Sequence, residues 1–280
     1  MSWKADFMKE QILKCKKTLY EPDSTSLRRS RTLKQLDNSK YLDSRMKQIA
    51  FITDIHLDEQ FPIDNNVNPK KNFENILLDI KNRKISELVF GGDIGEPTSH
   101  NYFFEKLQNF SVNLILGNHD KFENVKLHYV KNKERKELYY KSEDENYQYI
   151  FLDTSVDELS KTQLDWLQKE LSENKELILF VHHPILEIET PVDKLYPLKN
   201  REELKLVLEN FENNVTIFCG HYHMNDDQEF KNIKQYTTQS MSFQLVKNST
   251  EIEVDNSNFG YRIIKISNNR IETEFINFKQ

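Results

Sequence analysis

From residue 47 onward, short apolar runs recur at intervals: IAFIT (49–53), ELVFGG (87–92), VNLILG (112–117), YQYIFLD (147–153), ELILFVH (176–182) and VTIFCG (215–220). Each has the length of a strand and the β-branched and aromatic content of strands covered on both faces. Between them the apolar period becomes helical after recognisable start signals. Asn68-Pro69 opens a helix carrying Phe73, Leu77 and Ile80. Ser160-x-x-Gln163 forms a capping box ahead of Leu164, Leu167 and Leu171, and Asn200-x-x-Glu203 begins a third helix with Leu204, Val207 and Leu208. Alternation of this kind predicts an α/β fold. After residue 226 the helical period fades, and QYTTQ (235–239), YRIIKIS (261–267) and IETEFINF (271–278) read as antiparallel strands with one solvated face.

Residues 1–46 break from this pattern. They are polar and basic, with a Ser/Arg-rich stretch DSTSLRRSRTLKQLDNSK and one amphipathic helical period over Lys4 to Leu19. They predict an N-terminal extension, partly helical, ahead of a catalytic domain over 47–280. Charge reinforces the division. The formal net charge is -6, yet residues 1–47 carry twelve Lys and Arg against six Asp and Glu, which leaves -12 on the remainder. An acidic body is a poor partner for a long polyanion, because non-specific nucleic-acid binding comes from Lys and Arg on phosphates. A small phosphate ester held by metal ions meets no such objection, since the ions bring their own positive charge. The two cysteines, Cys15 and Cys219, form no Cys-x-x-Cys pair. The N-terminus has no apolar signal region, and no run of about 18 apolar residues could span a bilayer. These features predict a cytoplasmic protein with no membrane segment; pairing of two copies as a homodimer is left open.

The chemistry lies where the apolar runs end. There stand Asp54-Ile-His56, Gly91-Gly92-Asp93, Gly117-Asn118-His119-Asp120, His182-His183-Pro184 and Gly220-His221-Tyr222-His223. In an open α/β sheet, ligands gather at the carboxyl ends of strands, so five such clusters can converge. The chain has six Gly, five of them within or beside these clusters, and eight His, six of them inside. Imidazole, carboxylate and amide oxygen without thiolate select Mn, Fe or Zn over an iron–sulfur cluster. A carboxylate can bridge two ions because its oxygens offer separate lone pairs.

With those blocks in that order, the chain from about Lys47 resembles the calcineurin-like metallophosphoesterase superfamily. The resemblance implies a four-layer αββα sandwich of two mixed β-sheets. It further implies a first divalent ion held by Asp54, His56 and His223, a second held by Asn118, His182 and His221, and Asp93 between them. Two cations about 3.5 to 4 Å apart clamp a phosphoryl group and activate a shared water as the nucleophile. His119 is then expected to touch the phosphate beside Asn118 and to assist the departing oxygen, with Asp120 orienting its ring. His183 is a further candidate, either to touch the substrate or to support a ligand from behind. His100 and His128 lie outside the clusters and read as loop residues, His100 close enough to the Gly92-Asp93 loop to line a pocket. Tyr222 and Trp166 read as packing residues.

Subfamily patterns narrow the activity. An Asp-Arg-Gly run is missing after the second block, and Glu96 stands where purple acid phosphatases carry a metal-binding Tyr. Asp54-Ile55-His56-Leu57, Gly117-Asn118-His119-Asp120, His182-His183-Pro184 and the Gly-His-x-His block are similar to the class III cyclic nucleotide phosphodiesterases. The expected activity is hydrolysis of a phosphodiester, a cyclic nucleotide among the candidates. Two alternatives share the ligand set: a metal-dependent nuclease or nucleic-acid end-processing phosphatase using the basic N-terminus, and a non-catalytic metal-binding scaffold.

Overall fold

The computed structural model describes residues 46–131, 134–267 and 270–280; the N-terminal extension expected over 1–46 otherwise lies outside the described residues. Two sheets make up the body. The first has the order β13-β12-β1-β2-β3, where β1 is Lys47–Ile52, β2 Glu87–Phe90, β3 Ser111–Leu114, β12 Asn258–Ser267 and β13 Arg270–Lys279. The second has the order β4-β5-β6-β7-β9-β8, where β4 is Tyr140–Glu143, β5 Tyr147–Phe151, β6 Glu176–Phe180, β7 Val215–Cys219, β8 Asp226–Phe230 and β9 Ile233–Thr237. A two-stranded ribbon, β10 (Gln244–Leu245) with β11 (Val254–Asp255), stands apart. β1, β2 and β3 run parallel, as do β5, β6, β7 and β9, while β12, β13, β4 and β8 pair antiparallel.

Between the sheets lies an aromatic seam. Along the second sheet, Tyr140, Phe151, Phe180, Phe218 and Tyr236 stack in strand order at centroid spacings of 4.5, 5.1, 5.6 and 5.4 Å. Phe51 of β1 reaches across to Phe180 and Phe218 at 5.7 and 6.2 Å. The outer face of the second sheet carries a separate aliphatic core, where Leu164 and Leu167 of one helix and Leu204 and Leu208 of another cover Leu177, Leu179, Val215 and Ile217. On the first sheet, Phe73, Ile76 and Ile80 of a long helix join the main core, and Phe103 packs on Phe73 and Phe90. The αββα layering expected from the motifs is thus the fold observed.

The helices follow their start signals, with informative exceptions. In chain order they are α1 (Gln60–Asp64), α2 (Pro69–Asn82), α3 (His100–Lys106), α4 (Phe122–Val125), α5 (Lys161–Glu170), α6 (Pro191–Leu195) and α7 (Arg201–Glu209). Asn68 caps α2 by accepting from Lys71 N, and Ser160 caps α5 by accepting from Gln163 N. Gln163 does not return the bond to Ser160. Its amide instead pairs with the backbone of Asp153, accepting from N at 2.7 Å and donating to O at 2.8 Å, which ties α5 to the end of β5. Asn200 precedes α7 without capping it, because its amide is taken by the backbone N–H and carbonyl of Leu159.

The C-terminal third differs from its sequence pattern. The first three residues of QYTTQ end β9, which is parallel to β7 and antiparallel only to β8. β12, sandwiched between β1 and β13, is buried along most of its length, so only β13 shows the expected alternation. No helix among the described residues is long and apolar enough to cross a membrane.

Candidate metal centre

The ends of β1, β2, β3, β6 and β7 deliver their side chains to one place. Asp54, His56 and His223 bring ligand atoms within 4.8 Å of one another, and so do Asp93, His182 and His221. Asn118 lines the same cavity of about 330 Å³ with His56, Asp93, His119, His221 and His223. Asp93 faces both groups: its Oδ2 lies 3.6 Å from His56 Nε2 and 3.3 Å from His182 Nε2. Asp54 Oδ1 stands 3.3 Å from His223 Nε2 and 3.8 Å from His182 Nε2.

Local backbone strain makes this convergence. Asp54, His56, Asp93, His221 and His223 all have positive φ, between 47° and 68°. For residues other than glycine that conformation is sparsely populated, though Asn, Asp and His tolerate it best, and it persists only where surroundings enforce it. Here they do. The loops after β1 and β2 remain hydrogen-bonded past the strand ends, with Asp54 N, Ile55 N and His56 N donating to Gly92 O and Asp93 O. Gly220 N donates to His182 O, and Ser240 Oγ donates to Asp54 O. The approach is so close at Gly117 that a Cβ there would overlap Asp93 Oδ1 and come within 2.7 Å of His182 Cε1.

The ring orientations decide what the site can hold. His182 Nδ1 donates to Gly91 O at 2.8 Å, and His223 Nδ1 donates to Phe243 O at 2.9 Å. His56 Nδ1 donates to Glu59 Oε2 at 3.0 Å. In each ring the Nε2 lone pair is therefore turned inward. His56 Nε2 and His223 Nε2 meet at 3.2 Å, so that two lone pairs face one another when both rings are neutral. His182 Nε2 and Asn118 Oδ1 are buried with no hydrogen-bond partner. Donor atoms around an ion with bonds of about 2.1 Å stand roughly 3.0 to 3.4 Å apart, so the spacings and the orphaned atoms fit divalent cations. His221 is the exception in orientation, since its Nε2 donates to Tyr196 O at 3.0 Å and leaves Nδ1 for the centre.

Electrostatics point the same way. Burial pushes the Asp54 carboxyl up, but His223 and His182 outweigh it and bring it to about 2. Asp93 is likewise held well below the carboxylate range, burial being overcome by His182 and His56. Burial lowers His182, yet Asp93 and Asp54 raise it to about 10, while burial and His182 together push His221 down to about 3. Ionised carboxylates and imidazoles competing for protons are what a dication resolves by taking the place of those protons.

A family model described as calcineurin-like phosphoesterase matches residues 47–225. The chain belongs to the calcineurin-like phosphoesterase family. It is accordingly a phosphoric ester hydrolase of a family that uses divalent metal ions. It is 28% identical over 242 residues to a "probable cyclic nucleotide phosphodiesterase" of Fibrobacter succinogenes, covering 83% of this chain and 94% of that one. It is 30% identical over 216 residues to a "probable glycerophosphodiester phosphodiesterase" of Arcobacter nitrofigilis, covering 70% and 79%. Among solved structures, a dimetal phosphatase from Danio rerio shares the fold at a TM-score of 0.57 and 12% identity, covering 84% of this chain and all of that one.

Two predicted roles in this phosphoesterase need correction. Asp120 does not orient the His119 ring: its carboxylate accepts from Asp93 N, Ile94 N and Gly117 N at 2.8 to 2.9 Å, stitching the β2 and β3 loops together. Burial and the Asp93 charge raise its carboxyl to about 7. The ring partner is Glu59, whose Oε1 accepts from His119 Nδ1 at 3.1 Å. That bond raises His119 to about 9, while burial of Glu59 is outweighed by His119 and His56, which lower it to about 2. His183 is not among the residues lining the cavity. It is buried behind His221, ring centroids 4.1 Å apart, with Nδ1 on Thr154 Oγ1 at 2.8 Å, a position that suits support of a ligand, the second of its expected roles, and not contact with substrate.

Other placements were outside what motifs reveal. Tyr222 packs between two ligands as expected, and its hydroxyl also donates to Asp193, which accepts from Arg201; the pair latches the 184–201 loop whose Tyr196 carbonyl holds His221. His100 lines a second cleft of about 430 Å³ beside the first, with Gln60, Glu96, Lys121 and Asn124. His128 is exposed and stacks on Phe104, and Trp166 packs against Tyr139 and the outer core.

Proposed function

We propose that this phosphoesterase hydrolyses small phosphodiesters with a pair of divalent cations, one among Asp54, His56 and His223, the other among Asn118, His182 and His221, with Asp93 serving both. The observation that carries the reading is the 3.2 Å approach of two inward-turned Nε2 atoms whose Nδ1 atoms are already committed, beside two buried donors that bond to nothing. A nitrogen and oxygen donor set without thiolate favours Mn, Fe or Zn. When bound, such cations supply Lewis-acid polarisation of the phosphoryl oxygens and a nucleophilic water at neutral pH.

The chain's own residues do the rest. Asn118 and His119 reach the cavity where a phosphoryl group would sit, and His119, half exposed, is placed to assist the departing oxygen. Phe61, Val192, Tyr196, Phe243, Leu245 and Ile252 also line the cavity and give it an apolar surface suited to a planar or aliphatic ester group. Among the described residues no Lys or Arg lines that cavity, so additional phosphates of a polyphosphate or a nucleic-acid strand would find no partner there from them. The names of the two relatives support a diester, with a cyclic nucleotide as one candidate. Cys219, buried and unpaired, accords with the reducing cytoplasm as its compartment.

The deciding experiment is a Mn²⁺-supplemented screen over bis-aryl phosphodiesters, phosphomonoesters, 3′,5′- and 2′,3′-cyclic nucleotides and short oligonucleotides, run with wild type and Asp93→Ala. Diester turnover lost in the variant supports the reading. Turnover confined to monoesters or oligonucleotides, or none with any metal, would replace it by a monoesterase, nuclease or scaffold.

A further inference from the structure

Glu59 belongs to none of the five clusters, yet it joins two of them. One carboxylate oxygen accepts from His56 Nδ1 at 3.0 Å and the other from His119 Nδ1 at 3.1 Å. The two rings stand edge to face with centroids 4.7 Å apart. Glu59 occupies the residue before α1, where a carboxylate would ordinarily cap the helix, but it makes no capping bond. Its side chain is 15% exposed, against 44% for His119. Glu59, Phe61 and His119 also form the wall shared by the metal cavity and the neighbouring cleft. A ring held by a carboxylate at Nδ1 has only Nε2 left to meet a substrate oxygen.

We propose that Glu59 is the positioning residue for His119: it fixes the ring and its Nδ1–H so that Nε2 faces the departing ester oxygen, while its other oxygen aims His56 at the cation site. The inference rests on the phosphodiesterase reading above. Hydrolysis adds one water across the ester: the water oxygen bonds to phosphorus, and the P–O ester bond breaks with its electron pair on the departing oxygen. That oxygen takes the proton from His119 Nε2, and the proton released by the attacking water restores the ring. The carboxylate of Glu59 is unchanged throughout.

The test uses the full-length, Mn²⁺-loaded protein and a series of methyl phosphodiesters whose departing group runs from p-nitrophenol through phenol to an alkyl alcohol. Glu59→Ala is expected to lower kcat roughly 100-fold for phenol and alkyl leaving groups and less than about threefold for p-nitrophenol, which departs without a proton. At saturating Mn²⁺, where the weaker hold on His56 is offset, KM should stay within about threefold and metal content at the wild-type value. Glu59→Gln should recover part of the loss, because one amide oxygen can serve one ring but not both. Equal losses along the series, or loss of a bound metal with no leaving-group trend, would overturn the assignment. A second readout needs no turnover: in the metal-free full-length protein, the His119 Nδ1–H should give a hydrogen-bonded proton resonance by NMR that is lost in Glu59→Ala. An unchanged ring signal would overturn the proposal. A wild-type chain inactive on every diester would defeat the phosphodiesterase reading, and the NMR comparison would still decide whether Glu59 holds His119.

Discussion

The two sheets contribute unlike halves to the site. The first, through the ends of β1, β2 and β3, supplies both carboxylates together with His56 and Asn118; the second, through β6 and β7, supplies imidazoles alone, His182, His221 and His223. Two of the candidate cation groups draw on both halves, since Asp54 and His56 meet His223 while Asp93 meets His182 and His221. Even the ring anchors cross over: His182 of the second sheet donates to Gly91 of the first. Neither half is a site by itself. The aromatic seam packs between the sheets that carry the acid-bearing and imidazole-bearing edges.

That contrast can be broken at its centre or at its margins, with effects that should diminish outward. Asp93→Ala removes the carboxylate that faces both groups and should cost roughly 10³-fold in kcat/KM, the several kcal/mol associated with charge stabilisation by a metal pair. Diester kinetics with parallel metal analysis would check it, and retention of full activity would leave Asp93 without its role. Phe180→Ala acts on the seam, not on the site. Fully buried between Phe151 and Phe218 and touching Phe51, it should cost about 3 to 5 kcal/mol in urea unfolding. Metal affinity should fall with it if the seam sets the register of the two edges; unfolding stability lost with affinity untouched would uncouple them.

Gly117→Ala removes no ligand side chain but drives a Cβ into Asp93 Oδ1, which must shift. Because displacing a reacting group by about 1 Å costs on the order of 10²-fold, activity should fall by that amount with the fold retained. Circular dichroism beside kinetics separates the two. At the margin, Ser160→Ala removes the α5 cap on the outer face of the second sheet and should cost about 1 kcal/mol in unfolding with no change in KM or metal content.

Much of this was legible in the sequence because it depends on residue type at strand ends. The apolar runs marked six strands, and the polar residues immediately after them marked the seven candidate ligands. What stayed hidden depends on geometry instead. Glu59 lies in a loop with no motif, and only the course of the chain after His56 brings its carboxylate to His119. Asp120 follows His119 in sequence, yet the turn aims its carboxylate at three backbone N–H groups in place of the neighbouring ring. The positive φ at Asp54, His56, Asp93, His221 and His223 leaves no mark on composition, since Asp and His are also what a metal site would choose. The alternation in QYTTQ reads as an antiparallel strand with one solvated face, whereas β9 lies between β8, to which it is antiparallel, and β7, to which it is parallel, and is mostly buried.

The central claim is that two divalent ions sit where the two sheets meet. Crystals of the full-length protein equilibrated with Mn²⁺ and measured at the manganese absorption edge would test it directly. The account predicts two anomalous peaks, one among Asp54, His56 and His223 and one among Asn118, His182 and His221, with Asp93 reaching both. A well-ordered map with no peak at those side chains, or with a single ion bound by one sheet alone, would contradict it.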